Sequence, residues 1–434
     1  MTKTISEFRE AVYQKITWRP AAIMDLIDAL TVNGHVNSPV ALSESPLFRR
    51  KFSSVYDALV HGQLDVGLKD LLISSQDANW EKIAGYEIHA VDATPNERMA
   101  AETLPDRGAL KAQQKDPVRY GHKYSWLVRL VQSGTSWVAP EDIERISTET
   151  TDTQLAAQQV KDLAERNRQP KVVTADSRYR DRHFLGVFAG LENTYALVRL
   201  QNNQKLSQEP DPKPEGSRGA PRKHGADFQL NAIEREPDAS QEFVLGEQQV
   251  RVRVWHKLHF KRLAKVVGSV VCIEFLKADG TPRYKRPIWL FWTGPDDVTP
   301  QDLCRMYLWR FAIEHLFRFL KQHLGLNSSR SNNLESLQRW MWLVGLAYWQ
   351  LLLMRGTVHA DRPAWHPHKK DGQVKPLTPA QVQRAAQAFL LQSGTPAAST
   401  RRAGKGRGRQ KGYHPAQRKR YDIVFKSKKA QNQP

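Results

Sequence analysis

The chain has 434 residues, a formal charge of +20 and a pI near 9.9, which allows two or three domains around a sizeable core and asks for an extended polyanion as partner. Only two cysteines occur, Cys272 and Cys304, which excludes a disulfide framework and a cysteine-rich zinc site and fits a reducing cytosol. The first residues lack the apolar stretch of a signal peptide, and no amphipathic anchor or lipidation signal offers a membrane as the alternative anionic partner.

Residues 1–80 read as a helical N-terminal region, with helix-period apolar residues over 5–8, 22–30 and 55–60. Eight Lys+Arg stand against nine Asp+Glu there, so the charge gives no preference between gripping DNA ends and simple packing. Near residue 86 the pattern changes. Residues 87–92 predict a short buried strand that ends in Asp92 and is stopped by Pro95. A second strand follows over 122–131 and a third over 136–139. The stretch from Pro140 to about Arg168 reads as polar and helical. Residues 171–176 predict another short strand ending in an aspartate, Asp176; 183–188 reads as a helix and 194–200 as a strand. An aspartate after a strand is ordinarily a turn or cap residue, and Asp181, Asp296 and Asp297 are read that way. Two such aspartates in this order of elements ask for a further explanation.

From about 201 to 225 the chain is rich in Pro, Gly, Lys and Arg, a loop composition. Strands are predicted over 249–256, 266–275 and 287–292, so 201–300 forms a β-rich region. Arg251 and Arg253 share one strand face, which suits either phosphate contact or plain solvation. Residues 307–321 then predict a buried helix without Gly or Pro. Tyr307, Arg310, Glu314, Arg318 and Lys321 are spaced 3, 4, 4 and 3 apart, which puts them within an arc of roughly 80° on an α-helix. One carboxylate on a cationic stripe suits a metal site beside a nucleic-acid backbone; an ordinary i,i+4 pair between Glu314 and Arg318 is the plainer reading. The apolar run 340–354, bracketed by Arg339 and Arg355, is shorter than the ~20 residues of a membrane span and reads as a buried helix packed on the Glu314 helix. Residues 361–434 carry 17 Lys+Arg against three Asp+Glu. They read as a basic, disordered tail for nonspecific phosphate contact, most of all the Gly-rich run 401–412.

Tyr307, Arg310, Glu314 and Lys321 match the Y-(2)-R-(3)-E-(6)-K signature, and over 86–355 the chain resembles the DDE transposases of bacterial insertion sequences, in the branch with a β-rich insertion before the last catalytic carboxylate. The resemblance implies an α/β fold: a ribonuclease-H-like core, a mixed sheet with flanking helices, built from 86–200 and 301–355 and interrupted by the insertion at 201–300. It implies Asp92, Asp176 and Glu314 as catalytic carboxylates and metal ligands for two Mg²⁺ ions, with Mn²⁺ as a substitute. Tyr307, Arg310 and Lys321 would contact DNA by the same resemblance, and Arg318 by its place on the stripe. The implied partners are double-stranded DNA, as transposon end and target, and further copies of the chain assembled on it, in the cytoplasm at the nucleoid. Such enzymes cut strands at transposon ends and transfer them to target DNA. A metal-dependent nuclease of the same fold, or a basic DNA-binding protein with a decayed site, are the alternatives. Relatives that form hairpins stack a flipped base on a Trp. Trp255, Trp289 and Trp292 lie in the corresponding region, where a strand-core role is the commoner use of Trp.

Overall fold

The computed structural model describes residues 4–110, 117–210, 212, 220, 222–358, 376–400 and 410–425. Four helices come first: α1 (Ile5–Gln14), α2 (Pro20–Val32), α3 (Ser53–His61) and α4 (Leu68–Ser74). Strands β1 (Glu87–Glu97), β2 (Arg119–Leu130) and β3 (Val138–Ile146) follow, then α5 (Asp152–Arg166), β4 (Lys171–Ala175) and β5 (Thr194–Arg199). Their order in the sheet is β3-β2-β1-β4-β5. β1, β2 and β3 pair antiparallel, while β4 lies parallel to both β1 and β5. That is the mixed sheet of a ribonuclease-H-like core.

The β-rich insertion does not form a body of its own. Its strands β6 (Gln248–Phe260), β7 (Leu263–Leu276) and β8 (Ile288–Trp292) continue the core sheet, because β8 pairs with β5 at Leu290↔Arg199 and Phe291↔Val198. Alternation along the strands sorts side chains to the two faces. Ile88, Ala90, Trp126, Val172, Leu197 and Leu290 face one core, and Val91, Leu127, Val173, Val198, Trp289 and Phe291 the other. The first face is covered by the N-terminal helices together with α6 (Pro300–Trp309), α7 (Ala312–Gln322) and α8 (Leu334–Met354); the second is covered by α5 and the turns at 182–190.

Several expectations need correction. Pro95 does not stop β1: it pairs with Lys123. The parallel partner β4 reaches only to Ala90, so beyond that point β1 has a free edge, where the missing N–H of a proline costs no ladder bond. Pro140 likewise lies inside β3, which pairs only with β2, at a register shift beside Val128. The helix expected from Pro140 onward therefore starts only at Asp152, where Thr151 and Gln154 form a capping box. Trp255, Trp289 and Trp292 are buried, and the indole N–H groups of Trp255 and Trp292 donate to the Arg235 and Pro295 carbonyls; they serve the core. Arg251 and Arg253 pair with Glu242 and Glu274 on neighbouring strands. α8 packs chiefly on α2 and β3, and meets α7 through Tyr348 and Phe319, 5.9 Å apart. Among the described residues no helix is long and apolar enough to cross a membrane.

The expected disordered tail is also interrupted. Residues 379–393 form α9 (Pro379–Ser393), capped by Thr378, with Val382, Ala386 and Leu390 buried against α2 and α8. Its apolar spacing of four was masked by the surrounding charge. The run 401–409 lies outside the described residues.

β1 begins in a buried ionic cluster. Glu87 accepts from Asn167 (2.8 Å) and pairs with Arg129 (3.2 Å), and His89 meets Glu141 at 2.9 Å and Glu87 at 3.7 Å. Burial alone would raise the Glu87 pKa, but His89 and Arg129 outweigh it and hold the group at about 2. A carboxyl depressed from 4.5 contributes stability above pH 4.5, and that contribution is lost as pH falls toward 2. Melting curves between pH 6 and 2.5 should therefore show Glu87→Gln losing about 2 kcal/mol less than the parent chain across that window; identical acid limbs would contradict this.

Candidate active site

Three segments bring the acidic residues together. Asp92 sits on β1 just past the last residue paired to β4. Asp176 follows the end of β4 directly. Both thus lie just past the stretch where β1 and β4 run paired in parallel, the usual position of sites in such sheets. Glu314 stands in the first turn of α7, which lies against β1.

The expected single helix over 307–321 is broken in two. Arg310 and Phe311 keep right-handed helical angles, but Arg310 N–H bonds Tyr307 O (3.1 Å) and Glu314 N–H bonds Phe311 O (3.1 Å), a three-residue spacing. This tight turn swings the stripe from the interior to the surface. Tyr307 and Arg310 are buried, Glu314 is half-exposed, and Arg318 and Lys321 are exposed. Tyr307 is therefore turned inward, its ring 5.8 Å from the Arg310 guanidinium.

Arg310 is the centre of the arrangement. Its Nη2 meets Glu314 Oε1 at 2.9 Å and its Nη1 meets Asp92 Oδ2 at 3.7 Å. Burial works against the guanidinium charge, and Tyr307, Asp92, Glu314 and Asp176 more than restore it. Each aspartate also has one oxygen engaged by backbone: Asp92 Oδ1 accepts from Ala93 N–H and Asp176 Oδ1 from Arg178 N–H, both at 2.8 Å. The capping role expected of an ordinary aspartate is thus real for Asp176, and it fixes the carboxylate. Asp181 is a plain cap, on Phe184 N–H.

Burial, and after it the negative charge of Asp176, pushes the Asp92 carboxyl up to about 6; Arg310, the Ala93 N–H and Arg178 oppose them. Two carboxylates whose charges repel in a low-dielectric corner suit a cation. The donors are all oxygen, the kind taken by Mg²⁺ or Mn²⁺. Among the described residues no three carboxylates close tightly enough on one point to hold an ion as they stand, and Arg310 supplies the positive charge between two of them. The residues therefore fit a hard divalent ion in kind, on condition that Arg310 gives way. Tyr179 escaped sequence reading. It is buried with an unpaired hydroxyl, and its pKa is raised by burial and by Asp92, Asp152 and Asp176. Nothing in its spacing marks it.

A family model for the transposase DDE domain matches residues 142–350. Residues 142–350 form a transposase DDE domain. The match takes in Asp176, Arg310 and Glu314 and begins downstream of Asp92. A search of curated proteins found no match. Such a domain implies an enzyme that acts on DNA, in a family generally dependent on divalent metal. Burial lowers the pKa of Lys321, one turn beyond Arg318 on α7, and the charges of Glu97 and Asp92 oppose it, so this one cation lies within electrostatic reach of Asp92.

Proposed function

We propose that this transposase cleaves DNA strands at the ends of its own element and transfers them to target DNA, with Asp92, Asp176 and Glu314 as the metal-holding carboxylates. The observation that carries the proposal is the gathering of Asp92 and Glu314, 222 positions apart in the sequence, on one buried guanidinium, with Asp176 close enough to raise the Asp92 pKa. When bound, a pair of divalent ions supplies an activated water or 3′-hydroxyl and neutralises charge on the scissile phosphate. Asp92, Asp176 and Glu314 would hold these ions between them. Arg310 leaves the carboxylates for the phosphate beside the cut, guided by Tyr307, while Arg318 and Lys321 hold the strand. Residues 1–80 act as a packing layer for α8 and β3, a role that needs no positive charge. The assembly on DNA contains more than one copy.

The test is a cleavage assay with Mg²⁺ on linear DNA carrying the inverted repeats that bracket the gene. Nicks at the repeat boundary with free 3′-hydroxyls, and joining of those ends to a plasmid, are expected. Cutting without regard to the repeats and without joining would mean a nuclease instead.

A further inference from the structure

The C-terminal segment of the chain is docked at two places. Residues 394–398 lie on the N-terminal helices: Arg9 donates to Gly394 O (2.7 Å), Arg49 to Ala397 O (3.0 Å) and Arg50 to Ala398 O (2.8 Å). The second place is the outer edge of the catalytic sheet, the short strand Gly108–Leu110 that pairs with β2. There Tyr421 N–H donates to Glu102 O (2.9 Å), Val424 N–H donates to Arg107 O (2.8 Å), and Val424 forms a parallel bridge with Gly108. The buried Arg107 side chain clamps the docked segment through Tyr421 O (3.3 Å). Arg420 pairs with Glu102 (3.2 Å), and Phe425 packs edge-on against Tyr120 (6.1 Å). A free sheet edge invites a strand, and here the chain's own C-terminal residues take the place.

We infer that residues 420–425 are a strap that seals this edge in the same chain and so presents the neighbouring cations to the DNA backbone. Lys411, Arg418 and Lys419 are exposed ahead of the strap, and Arg420 with Arg330 faces a cleft of about 430 Å³, lined also by Arg98, Glu102 and Asn332. The location fits a duplex that also reaches the carboxylates. Gly121 pairs with Gly108 on one side and with Glu97 on the other, and Glu97 lies five residues past Asp92, about 17 Å along the strand. Between the two docked places, residues 399–419 hold eight Lys+Arg, of which the described Lys411, Arg418 and Lys419 are exposed. The docking stands on the contacts alone; its use for DNA rests on the proposed function.

The test uses the full chain. Glu102→Cys with Arg420→Cys, both exposed, is treated with a short bismaleimide, and the linked peptide is identified by mass. A link within one chain is expected; a link between chains, or none, overturns the strap. Val424→Pro removes the N–H that Arg107 O accepts and changes no charge. Against a random-sequence 30-base-pair duplex at 0.15 M salt, Val424→Pro should bind about threefold to tenfold more weakly, with a salt slope shallower by about one to two phosphates and unchanged melting of the core. Equal affinity and slope would overturn the DNA role of the strap. Failure of the unmodified chain to bind the duplex at all would instead overturn the function proposed above.

Discussion

Asp92→Asn is expected to abolish metal-dependent strand cleavage and, at neutral pH, to make the protein more stable. Loss of a metal-holding charge removes several kcal/mol of transition-state stabilisation, so cleavage should fall by roughly 10³-fold or more. The stability gain follows from the sign of the shift. The folded Asp92 pKa is about 6, above the ordinary 3.8. Its ionisation therefore opposes folding: stability declines as pH rises through that window and stays lower at pH 7. Asparagine keeps the oxygen that accepts from Ala93 N–H and carries no charge. Allowing for the partner that Arg310 loses, the gain should be about 1–2 kcal/mol at pH 7.5, and it should shrink at pH 4.5. Asp176→Asn and Glu314→Gln should lose cleavage to the same degree. All three variants should hold DNA within about threefold of the parent, because phosphate contact rests on cations. Cleavage assays, filter binding and melts at the two pH values decide this. Retained cleavage would remove Asp92 from the site; a destabilised Asp92→Asn would show that the carboxylate is a structural partner of Arg310.

The second large effect lies far from the chemistry. Trp349 is fully buried on α8, stacked on Phe8 (5.6 Å) and 6.1 Å from Trp80, and its indole N–H donates to Pro140 O at 2.6 Å. It thus ties α1 and α8 to β3. Trp349→Ala should cost about 3–5 kcal/mol, from lost burial and the cavity left behind, and remove the indole N–H that the Pro140 carbonyl accepts. Denaturant titration measures the loss. A cost under about 1 kcal/mol would mean that the helical layer is not fastened to the sheet through this residue. Such a result would also argue against the role of residues 1–80 as a packing layer.

Much of the candidate site is legible in the residues because its parts are local. Asp92 and Asp176 each follow a short apolar run, and the fixed spacings among Tyr307, Arg310, Glu314 and Lys321 are visible on any helix wheel. What the sequence concealed depends on tertiary neighbours. Pro95 and Pro140 look like strand breakers, and only the free edges of β1 and β3 make them harmless. The insertion strands read correctly one by one, yet their joining to β5 through β8 is a pairing between residues nearly a hundred positions apart. The turn at Arg310–Phe311 carries no Gly or Pro to announce it, and it is what buries Tyr307 and exposes Lys321. The charge of the C-terminal region hid both the apolar stripe of α9 and the docking of Tyr421 and Val424, which is made by backbone groups that composition does not reveal.

In the proposed function, Arg310 holds the place of a cation between carboxylates that take up metal when DNA arrives. Diffraction from the protein–DNA complex grown with Mn²⁺, recorded at the manganese edge, tests it most directly. Anomalous density ligated by carboxylate oxygens of Asp92 with Asp176 or Glu314 is expected, with Arg310 turned away from Asp92 onto a phosphate. Manganese bound elsewhere, with Arg310 still bridging Asp92 and Glu314, would contradict it.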